Sequence, residues 1–334
     1  MILTTQSKRL KILFTSTHLT SFIKEDLEIL RKHFDVEHLT TSGIGSIPGM
    51  ASSVRKADVT FTWFASVYSA FIVFFARRMG KKSIVVVGGV DVAEYPEINY
   101  GVWLSWWKAI LVKYAIRNAE KILAVDPFQQ REAMRLAEYD GANIEYVPTG
   151  YDANEWIPSG TKEPFVLTVA GCESEERMKV KGIDVLLSAA RALSDVRFVI
   201  VGLAQHLVEA VRASAPTNVE LIPVVEQKEL LRYYQRAKVY CQPSYSEGLP
   251  NSVCEAMLCE CVPVGTNIGG IPTAIKDIGF LVPYNNVDAL GDAIRKALQA
   301  PENIGQAARK YISNTFTLQR REEALLRIIR GAAS

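Results

Sequence analysis

Val239-Tyr-Cys-Gln-Pro-Ser-Tyr-Ser-Glu-Gly-Leu-Pro-Asn-Ser-Val-Cys-Glu255 passes from an apolar strand, Val239 to Pro243, through a polar loop into a helix expected over Pro250 to Cys259. Proline suits the first helical turn, where its missing N–H leaves no bond unmade. The amides of Leu249 to Val253, all but that of Pro250, which has no N–H and sets the helix start, with Asn251 and Ser252 between, would then mark an anion site at the strand's carboxyl end, strengthened by the helix dipole. Gly248 would let a ligand come close to the backbone. Strand, loop and helix in this order form the repeating unit of α/β proteins.

The same order continues on both sides. Leu10 to Thr15 is a continuous apolar run of the kind buried on both faces of a parallel sheet. A helix is expected from Phe22 to His33, and strands at Val36 to Leu39, Val59 to Trp63, Ser83 to Val87, Lys121 to Val125 and Ile144 to Val147. Helices between them start near Val67 and Trp103. After the Pro- and Gly-marked linker Trp156 to Gly160, strands follow at Phe165 to Ala170, Arg197 to Gly202 and Val219 to Pro223. Helices are expected at Gly182 to Leu193, Glu226 to Arg236 and Val287 to Ala300. The fold class is therefore α/β, with two Rossmann-like doubly wound domains facing each other across a cleft, at residues 1–157 and 158–312. A last helix within 313–334 would pack back on the first domain. Ligands of such sheets bind outside the strands' carboxyl ends.

Composition narrows the function classes. The chain has 334 residues, 49% of them hydrophobic and 22% charged, which is enough apolar surface for two cores. A net charge of +2 gives no global attraction to nucleic acid. Five cysteines without a CxxC spacing read as buried free thiols in a reducing compartment, not as a disulfide framework or a zinc site. The N-terminal stretch lacks a secretory signal's apolar core. Ala65 to Ala76 is the most membrane-like segment, yet spanning a bilayer takes about 20 residues. A cytoplasmic, soluble protein is expected.

Two carboxylates bracket the amide cluster. Glu247 lies just before the helix and Glu255 inside it, about 12 Å apart at full helical rise. A sugar nucleotide is long enough for that spacing. Its diphosphate would sit at the amides, its sugar hydroxyls at Glu247 and its ribose hydroxyls at Glu255, since carboxylates accept from hydroxyls and repel phosphate.

With SEGLPNSVCEAM, the chain resembles family 4 of the retaining glycosyltransferases, whose EX7E motif Glu247 and Glu255 match. Pro148 to Asp152 is similar to the family's PNGVD turn and Val180 to Asp184 to its KG(I/L)D segment. Val199 to Gly202 is similar to the strand before its nucleotide loop, and Val262 to Val264 with Gly269 to Pro272 to PVV…GGxPE. The resemblance covers most of the chain. It implies the GT-B fold, a first glutamate on the donor sugar, a second on the ribose, and Lys181 on the donor diphosphate. Gly202 would lie on the donor side. A fixed ammonium and helix amides would stabilise the charge on a departing diphosphate. The scheme calls for no metal and no cofactor beyond the donor itself, and no DxD pair is present.

The match has gaps. The family's arginine after the first strand of the second domain is absent from Val169-Ala-Gly-Cys172, and Arg177 or Lys179, in the long loop Cys172 to Val180, could supply its charge. Thr273 stands where the family has a glutamate. In the first half, Gly88-Gly89 and Asp91 at a strand's carboxyl end are acceptor-side candidates, with a turn aspartate as the alternative for Asp91. His18 could line an entrance or be structural; His33, His38 and His206 read as surface residues. Trp103, Trp106 and Trp107 with Lys108 and Lys113 would suit a peripheral membrane contact or a lipid-linked acceptor, and helix packing explains them as simply. The basic residues of Phe316 to Ile329 read as a solvated helix face.

The expectation is a hexosyltransferase-type enzyme moving a sugar, with retention, from a nucleotide-diphosphate sugar to a hydroxyl of a glycan or lipid-linked acceptor. A catalytically silent homologue that binds a sugar nucleotide or a partner transferase is the alternative.

Overall fold

The computed structural model describes residues 9–333. They form two compact units, each with its own all-parallel six-stranded sheet. Unit one runs to Glu94, resumes over Gly101–Pro148, and takes in the C-terminal segment from Gln319; unit two comprises Tyr95–Tyr100 and Thr149–Leu318. Each sheet with its intervening helices is a Rossmann-like, doubly wound domain.

The sheet of unit one contains β1 (Lys11–Ser16), β2 (Asp35–Thr40), β3 (Val59–Trp63), β4 (Lys82–Val87), β5 (Lys121–Ala124) and β6 (Ile144–Tyr146), in the order β2-β1-β3-β4-β5-β6. Beyond its first residue β1 is wholly buried, as is all of β3. Helices cover both faces of such strands, so neither face carries a charged residue in these buried stretches: β1 has the apolar run Ile12 to Phe14, and β3 sets buried threonines between Val59, Phe61 and Trp63. The helix Val67–Arg78 starts where expected because Ser66 and Ser69 cap each other reciprocally. Asp126 caps the helix Pro127–Ala137 through the Phe128 amide, with proline at the first position. Among the described residues, no helix is long and apolar enough to cross a membrane.

Several side chains of unit one depart from their expected roles. The C-terminal helix, Leu318–Ala333, is not basic on a solvated face alone: Arg321 is only 2% exposed. Its guanidinium donates to both carboxylate oxygens of Asp26, at 3.0 and 2.6 Å, and to the Val147 carbonyl at 2.6 Å. Trp63 Nε1 donates to the same carboxylate, and its ring lies 5.7 Å from the guanidinium. Trp103 points inward, packing on the core and donating from Nε1 to the Asp91 carbonyl. Trp106, Trp107 and Ile110 of the helix Trp106–Asn118 are exposed, at 75%, 45% and 59%. His33 and His38 are half-buried, not surface residues: His33 bonds Glu322 and His38 bonds Ser16.

The sheet of unit two contains β7 (Glu163–Cys172), β8 (Arg197–Leu203), β9 (Val219–Pro223), β10 (Ala237–Gln242), β11 (Val262–Thr266) and β12 (Phe280–Val282), in the order β12-β11-β10-β7-β8-β9. Its core draws on every layer, from Val166 and Phe198 in the sheet to Leu186 and Ile294 on helices. The register slips near the carboxyl ends of β7 and β8. Gly202, at φ +96°, sits at that slip, and a Cβ there would stand 3.0 Å from the Gly171 amide nitrogen. All five cysteines are buried and unbridged.

Candidate functional site

The site in unit two grows from the end of β10. Gln242, the last residue of the strand, is fully buried and works as a hub. Its Oε1 accepts from the Tyr240 hydroxyl at 2.7 Å and from Ser252 Oγ at 3.1 Å. Its Nε2 donates to Ser244 Oγ at 2.6 Å and to Glu247 Oε1 at 3.0 Å. Ser244 Oγ also donates to that oxygen, at 2.8 Å, and Lys181 Nζ does so at 2.7 Å. Glu247 is thus aimed by strand, loop and helix together.

The backbone around it is equally fixed. Tyr245 donates its amide to the Val180 carbonyl at 2.7 Å, and Gly270 donates to the Glu247 carbonyl at 3.2 Å. Gly269, at φ +60°, packs where a Cβ would lie 2.4 Å from the Glu247 carbonyl oxygen. The GG-x-P segment therefore serves as a backing for the glutamate. Thr266 Oγ1 holds the Ser244 carbonyl from the end of β11 at 2.6 Å.

Lys181 arrives from the other side. The stretch expected to be the loop Cys172 to Val180 contains a helix, Glu175–Val180, capped by Ser174 and acidic in its first turn. It ends at Lys181, and Gly182 then takes φ +65°. A Cβ on Gly182 would fall 2.0 Å from the Pro243 carbonyl oxygen, so only glycine lets the helix end press against the exit of β10. That close approach brings the Lys181 ammonium onto Glu247.

Arg177 sits one turn before Lys181 on the same helix, while Lys179 is exposed. The Arg177 guanidinium donates to the Tyr100 hydroxyl at 3.2 Å and lies over that ring at 5.7 Å. Burial works against its charge, but Tyr100 and the Glu247 carboxylate more than offset this and raise its pKa. Lys181 and Arg177 also act together on the nearby Cys172 thiol, opposing the burial that pushes it up to about 11. Of the two candidates for a second positive charge, Arg177 is the one gathered with Lys181 and Glu247.

The helix expected from Pro250 runs over Asn251–Leu258, with Pro250 as its cap residue. The first bonds to the Pro250 carbonyl come from Val253 and Cys254, so the Asn251 and Ser252 amides precede the helical ladder. Leu249 and Gly248 are buried beside them. The Asn251 side chain is tied elsewhere: its Oδ1 accepts from the Tyr151 hydroxyl at 2.6 Å and from Thr149 Oγ1 at 3.4 Å. The Pro148 to Asp152 turn is thereby stitched to the helix start. Glu255, inside this helix, accepts from the Tyr234 hydroxyl at 3.0 Å, and burial raises its pKa to about 7.

The unit-one candidates look different. Asp91 is 1% exposed and accepts from the amides of Ala65, Gly88 and Gly89 at 3.1, 3.2 and 2.8 Å. Burial still pushes its pKa up to about 6. These bonds are those of the turn aspartate that the sequence left open as the alternative. Gly89 serves that turn through its amide, and His18 is exposed on the loop after β1. Sequence reasoning missed Gln242, Ser244, Tyr234 and Tyr100. Only Gln242 and Ser244 carried a signal, polar residues at the carboxyl end of an apolar strand.

Residues 158–315 match the family described as Glycosyl transferases group 1. The D-inositol 3-phosphate glycosyltransferase of Segniliparus rotundus is 28% identical over 229 residues, covering 61% of this chain and 51% of its own. The chain spans about half the length of the curated relatives it matches. Among solved structures, sucrose-phosphate synthase from Thermosynechococcus elongatus superposes with TM-score 0.78 at 14% identity, covering 98% of this chain and 100% of that one. Anabaena Alr3699/HepE in complex with UDP-glucose does so with TM-score 0.77 at 15% identity, covering 96% and 100%. The chain has the GT-B fold, and its second half, residues 158–315, which holds Lys181, Glu247 and Glu255, matches the glycosyl transferases group 1 family.

Proposed function

We propose that the chain is a retaining glycosyltransferase that moves a sugar from a nucleotide-diphosphate sugar to a hydroxyl acceptor. The observation that carries this reading is the convergence of Lys181 on Glu247, beside Arg177 and the start of the helix Asn251–Leu258. A cationic pair next to helix amides suits a diphosphate, and a carboxylate fixed at its edge suits the hydroxyls of the sugar it carries. When the bond from the anomeric carbon to the diphosphate oxygen breaks, the electron pair leaves with the diphosphate. Lys181, Arg177 and the amides stabilise that charge, and the acceptor oxygen forms the new bond as its hydroxyl proton passes to the departing diphosphate oxygen. The scheme calls on no resident metal or cofactor. Retention rests on the resemblance of the Glu247 and Glu255 spacing to the EX7E motif of family 4.

Glu255 is the proposed ribose contact, and its raised pKa gives a pH signature. The carboxyl is ionised in the fold only above about 7, and the ionised form accepts better from a hydroxyl pair. Donor affinity should therefore weaken as pH falls through about 7, and binding should itself draw the pKa down. The check is a titration of UDP-, GDP- and ADP-sugars followed by thermal stabilisation, from pH 6 to about 8, with a Glu255→Gln variant alongside. The base that stabilises the chain names the donor class, and the variant should lose the pH slope. Stabilisation by no nucleotide sugar would remove the reading.

For the acceptor we propose a glycan or a lipid-linked hydroxyl compound. The exposed Trp106, Trp107 and Ile110, with Lys108 over the Trp107 ring, support the lipid-linked form, since aromatics with flanking lysine suit a membrane interface. Sedimentation with anionic phospholipid vesicles, lost in a Trp106→Ser, Trp107→Ser variant, is the expected result. Equal sedimentation of both proteins would leave the glycan form.

A further inference from the structure

The geometry points to Tyr100 as a positioning residue: a finger formed by Tyr95–Tyr100 holds Arg177 beside Lys181, ready for the donor diphosphate. This inference rests on the reading of the site as a nucleotide-sugar site. The finger comes from the first half of the sequence yet belongs to unit two. Its neck is closed by two backbone bonds, Tyr95 amide to Tyr100 carbonyl at 2.8 Å and Tyr100 amide to Tyr95 carbonyl at 3.1 Å. Its tip is the single helical turn Pro96–Ile98 followed by Asn99 at φ +51°. Just past the neck, Gly101 at φ +124° packs so closely on Ala93 that a Cβ would lie 2.0 Å from the Ala93 oxygen. Proline, a left-handed asparagine and an obligatory glycine give this short loop one shape before any ligand arrives.

The finger docks on the loop that carries Glu247. The Tyr245 hydroxyl donates to the Glu97 carboxylate, and the Tyr245 ring meets Tyr95 edge to face at 5.1 Å. Tyr245 in turn packs on Tyr284 at 4.6 Å. On the finger's other side Arg177 Nη1 donates to the Tyr100 hydroxyl, and the Tyr100 ring offers its face to the guanidinium. An arginine side chain has much rotamer freedom to lose, and fixing it beforehand lowers the ordering cost of binding. One N–H given to Tyr100 leaves the rest of the fork for phosphate oxygens. The ring's cation–π contact and the hydroxyl both orient the guanidinium without neutralising it.

A double-mutant cycle tests this, with donor kcat/KM and nucleoside diphosphate affinity as readouts. Arg177→Ala should lower both. Tyr100→Phe, which keeps the ring, should lower both by about three- to tenfold, and Tyr100→Ala by more. In the Arg177→Ala background Tyr100→Phe should change neither. Affinity for the unphosphorylated nucleoside should stay constant throughout, which a general loosening of unit two would not allow. Thermal melts verify that each variant is folded. Transfer by the wild type with independent, multiplicative losses from Tyr100→Phe and Arg177→Ala would overturn the inference alone. Failure of the wild type to bind any nucleoside diphosphate would overturn the underlying reading, and the inference with it.

Discussion

Replacing Lys181 with alanine is expected to lower the rate of sugar transfer about a hundred- to a thousandfold, the usual loss when one preorganised donor to a developing negative charge is removed. The fold should tolerate the change. Lys181 caps the end of a short helix, and the close approach that seats the helix belongs to Gly182. Glu247 would not be stranded either, because Gln242 and Ser244 still donate to the oxygen that Lys181 leaves. The loss should therefore appear in kcat and not in the melting temperature. Lys181→Arg should recover only part of the rate, since a planar fork does not replace a compact ammonium at 2.7 Å from a fixed carboxylate. Initial rates with a saturating donor, set beside thermal melts, separate these outcomes. An unchanged kcat in Lys181→Ala would remove the ammonium from the chemistry.

The largest effect on stability is expected at Asp26. Asp26→Ala would leave the Arg321 guanidinium, 2% exposed, without its counter-ion, and would also strip Trp63 Nε1 of its acceptor. Breaking one side of a buried pair costs about 3–5 kcal/mol, mostly from the stranded charge. Arg321 joins the C-terminal helix to the helix Ser21–His33 and to the end of the β6 segment at Val147, so unit one should unfold at lower denaturant. An apolar double replacement, Asp26→Leu with Arg321→Met, should recover much of the loss, because no buried charge then remains. Urea unfolding followed by tryptophan fluorescence reads this directly, since Trp63 lies against the pair. Equal destabilisation by the single and double variants would show that packing, not charge, is what matters there.

The strands were legible because a parallel sheet buried on both faces favours apolar runs; Lys82–Val87, with Ile84 to Val87, and Arg197–Leu203, with Phe198 to Val201, stand where their residues place them. The helix Glu175–Val180 was not. Its six residues, Glu-Glu-Arg-Met-Lys-Val, show no apolar period, and a Ser174 cap with two acidic residues is a weak signal by itself. Within the site, Glu247, Glu255 and Lys181 could be named from local spacing, whereas their aim could not. Gln242 gathers groups through hydrogen bonds that no periodicity predicts. Asp26 and Arg321 lie 295 positions apart, and Arg177 and Tyr100 lie 77 apart. Single side-chain contacts across such separations leave no trace in composition or pattern. Asp91 could be read two ways for a related reason: an aspartate placed where it could face a ligand also accepts from two backbone amides of its own turn and from the amide of Ala65, 26 positions away.

The most direct measurement follows release of nucleoside diphosphate from the stabilising nucleotide sugar, with acceptor transfer or slow hydrolysis as the outlet. It compares the wild type with a Glu247→Ala, Glu255→Ala double variant of matched thermal stability. The account predicts steady release by the wild type and release at the uncatalysed level by the double variant. Undiminished release by the double variant would contradict it.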